Sequence, residues 1–250
     1  MSAIPPIASF NTLDPAELET RLSGPPEQVA AFVRDVATAG SAEAQALYGQ
    51  LLLDGHGLAA NPREALRWFA AAARQGHRLA INMIGRCYDL GRGVGVDKVR
   101  AAEWYKAAAL RGLDWGMYNY GTLLALGRGV PEDRAEALRW FRKAAALGNA
   151  KAINFVGSFY EDGWAVPRDL VTAADCYRRA AEGGDFRGAF NHARMLVGAG
   201  RIDEALEWLA RAGATATPSF IDKACAWLEA SPIARLCADG VRALREAAQC

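Results

Sequence analysis

The stretches LGRGVGVDKVRAAEWYKAAALRG (90–112) and LGRGVPEDRAEALRWFRKAAALGN (126–149) determine how this chain folds, because they match each other at a step of 36 residues. Three sets of glycines keep the same step along the chain. These are Gly49, Gly85, Gly121 and Gly157; Gly55, Gly91, Gly127 and Gly163; and Gly76, Gly112, Gly148 and Gly184. Self-similarity at one fixed step over four copies indicates a repeat protein.

Each copy predicts two helices. The first, at about 80–90 in the second copy, has apolar residues at helical spacing and ends at a glycine. The second, at about 98–111, carries alanines and the pair Trp104-Tyr105 in a stripe of i, i+3, i+4, i+7 and i+8. Runs of β-branched residues and strict alternation are absent, so we expect no strands. Glycine inside a helix costs about 1 kcal/mol relative to alanine, so its recurrence at Gly85 indicates a close approach of paired helices.

A fifth copy is shortened, and the ends of the chain do not repeat. In the fifth copy, Ala205 lies 32 residues after its counterpart Ala173. Asp14-Pro15, Thr217-Pro218 and Ser231-Pro232 each look like an N-cap followed by proline in the first helical turn. We therefore expect terminal helices that cover the outer faces of the first and last repeats. Their predicted ranges are about 15–22, 26–38, 218–230 and 233–248.

The two quoted stretches resemble Sel1-like repeats, which are tetratricopeptide relatives with a glycine-bearing loop between their helices. The resemblance implies an all-α fold, a right-handed α/α superhelix (solenoid) of about five Sel1-like, tetratricopeptide-like helix pairs with helical caps at both ends. The expected segments are 1–39, a mobile N-terminus (1–13) and a helical cap; 40–213, the repeats (about 40–76, 77–112, 113–148, 149–184 and a shortened 185–213); and 214–250, the C-terminal capping helices.

Composition and charge narrow the function classes. The 250 residues are 52% hydrophobic and 23% charged, with a net charge of +1. This balance provides no overall attraction to nucleic acid or anionic lipid, and no apolar run reaches the length of a membrane span. The start resembles no signal peptide, and five cysteines at scattered spacings suit reduced thiols better than disulfides. We expect a cytoplasmic protein that does not bind nucleic acid or insert into a membrane.

The sequence predicts no catalytic residue, no metal site and no cofactor. His56, His77 and His192 lie in three different copies, and none has a second ligand at i+3 or i+4. The motifs GxSxG and HExxH and the Walker loop are absent. The glycine-rich segment 91–95 follows a helix and recurs at 127–130, so it indicates an interhelical turn and not a phosphate-binding loop.

The resemblance also implies a binding groove. In tetratricopeptide-like arrays the first helix of each repeat lines the concave face, and residues beside the core stripe point into it. Asparagine can bind a peptide backbone as donor and acceptor, and arginine and aromatic residues are enriched at binding hot spots. A solvated inner face without a ligand is the alternative. The predicted groove residues are Asn82, Arg86, Asp89, Trp115, Tyr118, Asn119, Thr122, Lys151, Asn154, Ser158, Glu161, Arg187, Phe190 and Arg194.

The function expected from these features is that of a protein–protein interaction scaffold or adaptor, monomeric without its partner, that binds a segment of a partner protein in the groove. One alternative is a structural subunit that oligomerises through its caps. Another is an enzyme with a hydrolase-type activity in the groove, which requires a polar residue of strongly shifted pKa in a closed pocket. Architecture alone does not decide among these functions.

Overall fold

The structure is a computed structural model that describes residue 10 and residues 13–248. In this part of the chain fourteen α-helices and one π-helical segment follow one another, and no strand is present. The predicted all-α repeat fold is confirmed. Most of the predicted mobile segment, 1–13, lies outside the described residues. The helices are α1 (Pro15–Leu22), α2 (Pro26–Thr38), α3 (Ala42–Asp54), α4 (Pro62–Arg74), α5 (Arg78–Leu90), α6 (Lys98–Leu110), α7 (Asp114–Leu126), α8 (Arg134–Ala146), α9 (Ala150–Asp162), α10 (Leu170–Glu182), α11 (Phe186–Gly198), α12 (Ile202–Gly213), α13 (Pro218–Glu229) and α14 (Val241–Ala247).

The chain divides into two compact units, residues 1–132 and residues 133–250. We call them unit 1 and unit 2. In unit 1, α3 packs against α4 and α5 against α6, while α2 packs on α3 and α7 on α6. Fully buried Val33, Phe69 and Cys87 belong to its core. Helices α2 to α7 thus bury apolar side chains against their neighbours in the chain.

Local signals set the helix boundaries. The Asp97 carboxylate accepts the N–H of Arg100 at 3.0 Å and caps the start of α6. Gly91 ends α5 in the left-handed conformation, with φ of 72°. The predicted ranges of about 80–90 and 98–111 therefore lie close to the observed helices.

In both units a glycine inside the first helix of a pair faces an aromatic ring of the second helix. A Cβ added to Gly85 would lie 2.7 Å from Cδ1 of Tyr105 and 3.3 Å from the carbonyl oxygen of Ala101. In unit 2, a Cβ on Gly157 would lie 2.8 Å from Cε1 of Tyr177. Real side chains do not approach so closely, so the predicted close packing at these glycines is confirmed.

Unit 2 contains the pairs α9–α10 and α11–α12, with α8 packed on α9. Its C-terminal end is helical over residues 234–247, close to the predicted range of about 233–248, with a π-helical segment inside the helix. The Ser231 hydroxyl accepts the N–H of Ile233 at 3.2 Å, and a π-helical segment, Leu236–Gly240, precedes α14. The π-helical segment and α14 place both Leu236 and Leu244 in the core, where they are fully buried.

In the first three copies the loop between the paired helices contains a second glycine, at positions 57, 93 and 129. Gly129 has φ of 74°, and a Cβ there would lie 2.1 Å from the carbonyl oxygen of Lys98. The fourth copy has Ala165 at this position, with φ of 57°. A non-glycine residue in the left-handed region costs roughly 1–2 kcal/mol.

We predict that Ala165→Gly raises the free energy of unfolding by about 0.5–1 kcal/mol, because relief of the left-handed conformation outweighs the added entropy of the unfolded chain. The matched variant Gly129→Ala should lower it by roughly 2 kcal/mol, because its Cβ also meets the Lys98 carbonyl. Urea unfolding measures both changes. A destabilised Ala165→Gly variant would contradict this account of the loop.

Candidate partner-binding surface

All fourteen predicted groove residues lie on the first helices of their pairs. We call these first helices, α3, α5, α7, α9 and α11, the A helices, and the second helices, α4, α6, α8, α10 and α12, the B helices. Asn82, Arg86 and Asp89 lie on α5; Trp115, Tyr118, Asn119 and Thr122 on α7; Lys151, Asn154, Ser158 and Glu161 on α9; and Arg187, Phe190 and Arg194 on α11. The structure brings them together in two sets, one in each unit.

Asparagines connect consecutive A helices. In unit 1, Nδ2 of Asn119 donates to Oδ1 of Asn82 at 2.9 Å. In unit 2, Nδ2 of Asn191 donates to Oδ1 of Asn154, also at 2.9 Å. Asn82 and Asn154 are only 5% exposed. These amides are therefore engaged within the chain, and a buried amide that loses its partner costs free energy.

Phe190 takes part in the same type of contact, between aromatic rings. Its ring lies 5.5 Å from that of Trp227 on α13, and 5.5 Å from that of Phe220 on the same helix. Like the asparagine pairs, Phe190 and Trp227 are 37 residues apart. Helix α13 thus contacts α11 as one A helix contacts the next, and Phe190, 9% exposed, has little surface left for a partner.

In unit 1, the Asp89 carboxylate is bonded to groups of α6. The Tyr105 hydroxyl donates to Oδ2 of Asp89 at 3.4 Å, and Nζ of Lys98 donates to Oδ1 at 2.5 Å. Burial, reinforced by the negative charge of Asp89, raises the pKa of Tyr105 far above its usual range. The hydroxyl therefore remains protonated and acts as a donor.

Unit 2 contains a matching arrangement around Glu161. The Tyr177 hydroxyl donates to Oε2 of Glu161 at 2.6 Å, and Nη2 of Arg194 donates to Oε1 at 2.5 Å. The Ser158 hydroxyl lies 3.3 Å from that of Tyr177. Burial and the bond to Glu161 raise the pKa of Tyr177. Three predicted groove residues are thus held in one internal cluster.

The sequence contains a signal for these clusters, which is a difference between alternate copies of the 36-residue repeat. The second and fourth copies have Tyr105 and Tyr177 where the first and third have phenylalanine. Each tyrosine is preceded, 16 positions earlier, by a residue with a carboxylate, Asp89 or Glu161. Each phenylalanine is preceded at the same distance by an apolar residue, leucine or alanine. A buried hydroxyl needs an acceptor, whereas a phenyl ring does not.

Large apolar residues remain exposed at another position of the A helices in unit 1. Leu79 and Trp115 are each the second residue of their helix, 36 residues apart, and are 51% and 41% exposed. The rings of Trp115 and Tyr118 meet edge to face at 6.0 Å, and Arg86 is exposed on α5. The groove prediction missed Leu79, although its equivalence to Trp115 was readable from the repeat.

The corresponding position in unit 2 is basic. Lys151 is half-buried, and Arg187 is exposed. The guanidinium of Arg187 lies 4.5 Å from the ring centroid of Phe186 and 5.8 Å from that of Phe220. Stacking on two aromatic rings holds this cation at the protein surface.

A model of the Sel1 repeat matches residues 42–77, 78–113, 116–149, 150–185 and 198–214, together more than half of the chain. The chain belongs to the Sel1-repeat family. Proteins of this family are generally protein-interaction scaffolds and are typically not enzymes. No curated protein matches the chain. None of the helices in the described residues is both long and apolar enough to cross a membrane.

Solved structures share the fold. A Sel1 repeat protein from Oxalobacter formigenes is 25% identical with a TM-score of 0.76, over 93% of this chain and 95% of that one. The protective antigen c5321 of uropathogenic Escherichia coli is 24% identical with a TM-score of 0.66, over 88% and 49%. This chain therefore spans about half the length of c5321. The immunity protein Pa5087 of Pseudomonas aeruginosa is 17% identical with a TM-score of 0.56, over 83% and 81%.

A cavity of about 470 Å³ adjoins Leu79 in unit 1. Glu43, His77, Arg78 and Leu113 also line it. Nδ1 of His77 accepts the N–H of Ala80 at 3.2 Å, so the neutral ring carries its proton on Nε2. Burial lowers the pKa of His77 and favours that neutral form. The cavity therefore offers polar and apolar groups beside an exposed leucine of the Sel1 repeats.

We predict that Tyr105 and Asp89 are energetically coupled. Tyr105→Phe removes the donor, and Asp89→Leu leaves the buried hydroxyl without its acceptor, at a cost of about 1–3 kcal/mol. The double variant restores the combination found in the first Sel1 repeat, Leu53 with Phe69. It should lose about 1 kcal/mol less stability than the sum of the single variants.

Urea unfolding of the four proteins gives this coupling. Tyr88→Phe is the matched control, because the Tyr88 hydroxyl lies 3.4 Å from Nη1 of Arg100 and not beside the Asp89 carboxylate. Combined with Asp89→Leu, the control should be additive. Additive behaviour of the Tyr105 cycle as well would show that the bond contributes nothing to stability.

Proposed function

We propose that this Sel1-repeat chain is an adaptor that binds a segment of a partner protein on the A-helix surface of unit 1. The observation that carries the proposal is the exposure of Leu79 and Trp115 at equivalent positions of α5 and α7. Exposed apolar patches are typical of interaction sites. Leu79 and Trp115 lie on consecutive A helices, and the Trp115 ring also meets that of Tyr118. Membership of the Sel1-repeat family supports a role in protein interaction.

Residue chemistry favours this surface over the rest of the predicted groove. Tryptophan, tyrosine and arginine are enriched among residues that dominate binding energy, and Trp115, Tyr118 and Arg86 supply all three types. By contrast, the amides of Asn82 and Asn119 bond to each other. A partner that recruited them would first have to break a bond between two A helices, at a cost in free energy.

The remaining predicted residues extend the proposal. Thr122 lies on α7, but its hydroxyl donates to the carbonyl oxygen of Tyr118 at 2.9 Å, so we assign it a minor role. In unit 2, the proposed contacts are Lys151 and Arg187, whose positive charges favour acidic residues in the partner. The surface consists of helices that are already formed, so the chain itself loses little conformational entropy on binding.

Site-specific photo-crosslinking tests the proposal. A photoreactive phenylalanine analogue at position 115, introduced in the native cell, should crosslink to a partner protein that the same analogue at position 126 does not capture. Leu126 is the matched control because it is 50% exposed at the far end of the same helix.

Binding of the purified partner then gives the decisive result. Trp115→Ala and Leu79→Ala should each weaken binding about tenfold or more while the variants remain folded, because both side chains are accessible to a partner in the free protein. Leu126→Ala should change nothing. Unaltered affinity of the first two variants would refute the proposal, and crosslinking only to a second copy of the chain would favour an oligomerising subunit.

A further inference from the structure

A slot of about 340 Å³ opens along the B helices of unit 1. Its walls include Ala70 from α4, Ile81 from α5, and Trp104 and Ala107 from α6. None of these residues belongs to the A-helix surface proposed to bind a partner. The volume lies at the lower end of the range for small-molecule sites, and such sites have mainly apolar linings.

In the third and fifth repeats a cation covers the B-helix tryptophan. In the third repeat, Nζ of Lys143 lies 4.3 Å from the ring centroid of Trp140. In the fifth, Cζ of Arg211 lies 4.4 Å from the ring centroid of Trp208. Each cation stands three residues after its tryptophan, on the same helical face. A long side chain from the chain itself thus covers the indole in these repeats.

In the second repeat this cover is missing. The residue three positions after Trp104 is Ala107. Ala70, which also lines the slot, belongs to the first repeat and occupies the position equivalent to Lys106 in the second. Among the residues that the structure describes, no aromatic ring packs against the Trp104 indole and no cation lies over its face. Two alanines in place of long side chains therefore open the slot and leave part of an indole accessible.

The polar lining of the slot is entirely cationic. Arg74 and Arg111 line it, and no aspartate or glutamate does. Nη1 of Arg111 donates to the carbonyl oxygen of Ala107 at 3.0 Å. In the described part of the chain, Arg74 forms no hydrogen bond or ion pair. Its guanidinium therefore retains its donors for a ligand, and guanidinium groups match carboxylates in geometry and charge.

We infer that this slot binds a small molecule with one carboxylate and an apolar, aromatic body. The aromatic body fits against Trp104 in the space that Lys143 fills beside Trp140, and the carboxylate binds Arg74 and Arg111. A cationic ligand would be repelled by both arginines. A neutral apolar ligand would bury their donors without an acceptor, which costs free energy.

The probe is 1-naphthoate, titrated calorimetrically into the full chain. We expect saturable binding at a single site with a dissociation constant below about 1 mM. The neutral analogue 1-naphthamide should bind about fivefold more weakly or worse, because it lacks the charge. In a ¹H–¹⁵N spectrum the indole signal of Trp104, assigned with Trp104→Phe, should shift on binding.

Two variants test the two halves of the slot. Ala107→Lys supplies the cover seen at Trp140 and should weaken naphthoate binding about tenfold or more. Arg74→Gln should weaken it about fivefold and remove the preference over the amide. Arg67→Gln, an exposed arginine of α4 that is not part of the slot lining, is the control and should bind as the natural chain does.

Several outcomes would overturn the inference. No saturable binding would remove the site, unchanged binding by Ala107→Lys would place the probe elsewhere, and equal affinity for the amide would exclude the carboxylate class. If Ala107→Lys fails to fold, Arg74→Gln still tests the site. Trp115→Ala should leave naphthoate binding unchanged, so this inference and the proposed adaptor function can fail independently.

Discussion

Close packing of the paired helices depends on a glycine in the A helix, which has no side chain to keep the B helix at a distance. At Gly85, and in unit 2 at Gly157, the A helix lies so close to the B helix that a Cβ would stand within 2.8 Å of a tyrosine ring. The space between the two helices admits only glycine at this position, and the tyrosine ring packs directly on the glycine. The hydroxyl of Tyr105 is thereby directed at Asp89, and that of Tyr177 at Glu161. In these two pairs a steric constraint on the backbone thus places the tyrosine hydroxyl beside its carboxylate acceptor.

Contacts between pairs follow a different step from the repeat itself. Asn82 with Asn119 and Asn154 with Asn191 join consecutive A helices at a separation of 37 residues. Phe190 meets Trp227 of α13 at the same separation, whereas Glu161 and Arg194 are 33 residues apart. Polar residues meet polar residues and aromatic residues meet aromatic ones, so each contact is satisfied without a ligand. These contacts use residues that a groove would otherwise present, and they leave Leu79 and Trp115 as large exposed groups on this face.

Much of this fold is predictable from the sequence, because helix periodicity, capping aspartates and glycines act over a few residues. The start of α6 after Asp97 and the end of α5 at Gly91 are examples. Side-chain partners across repeats are not predictable in the same way, because they depend on the offset between neighbouring A helices. Asn154 and Phe190 were therefore predicted as groove residues although both are buried. Helical periodicity does not predict the π-helical segment either; Leu236 within it and Leu244 after it are both fully buried.

The stability of Gly85→Ala tests the steric constraint most directly. On helix propensity alone, alanine should stabilise α5 by about 1 kcal/mol. The close approach to Tyr105 predicts the opposite, a net loss of about 1–2 kcal/mol in the free energy of unfolding, because overpacking outweighs propensity. In a Tyr105→Ala background, where the ring is gone, the same substitution should be neutral or stabilising. A Gly85→Ala variant that is more stable than the natural chain would contradict the role assigned to this contact.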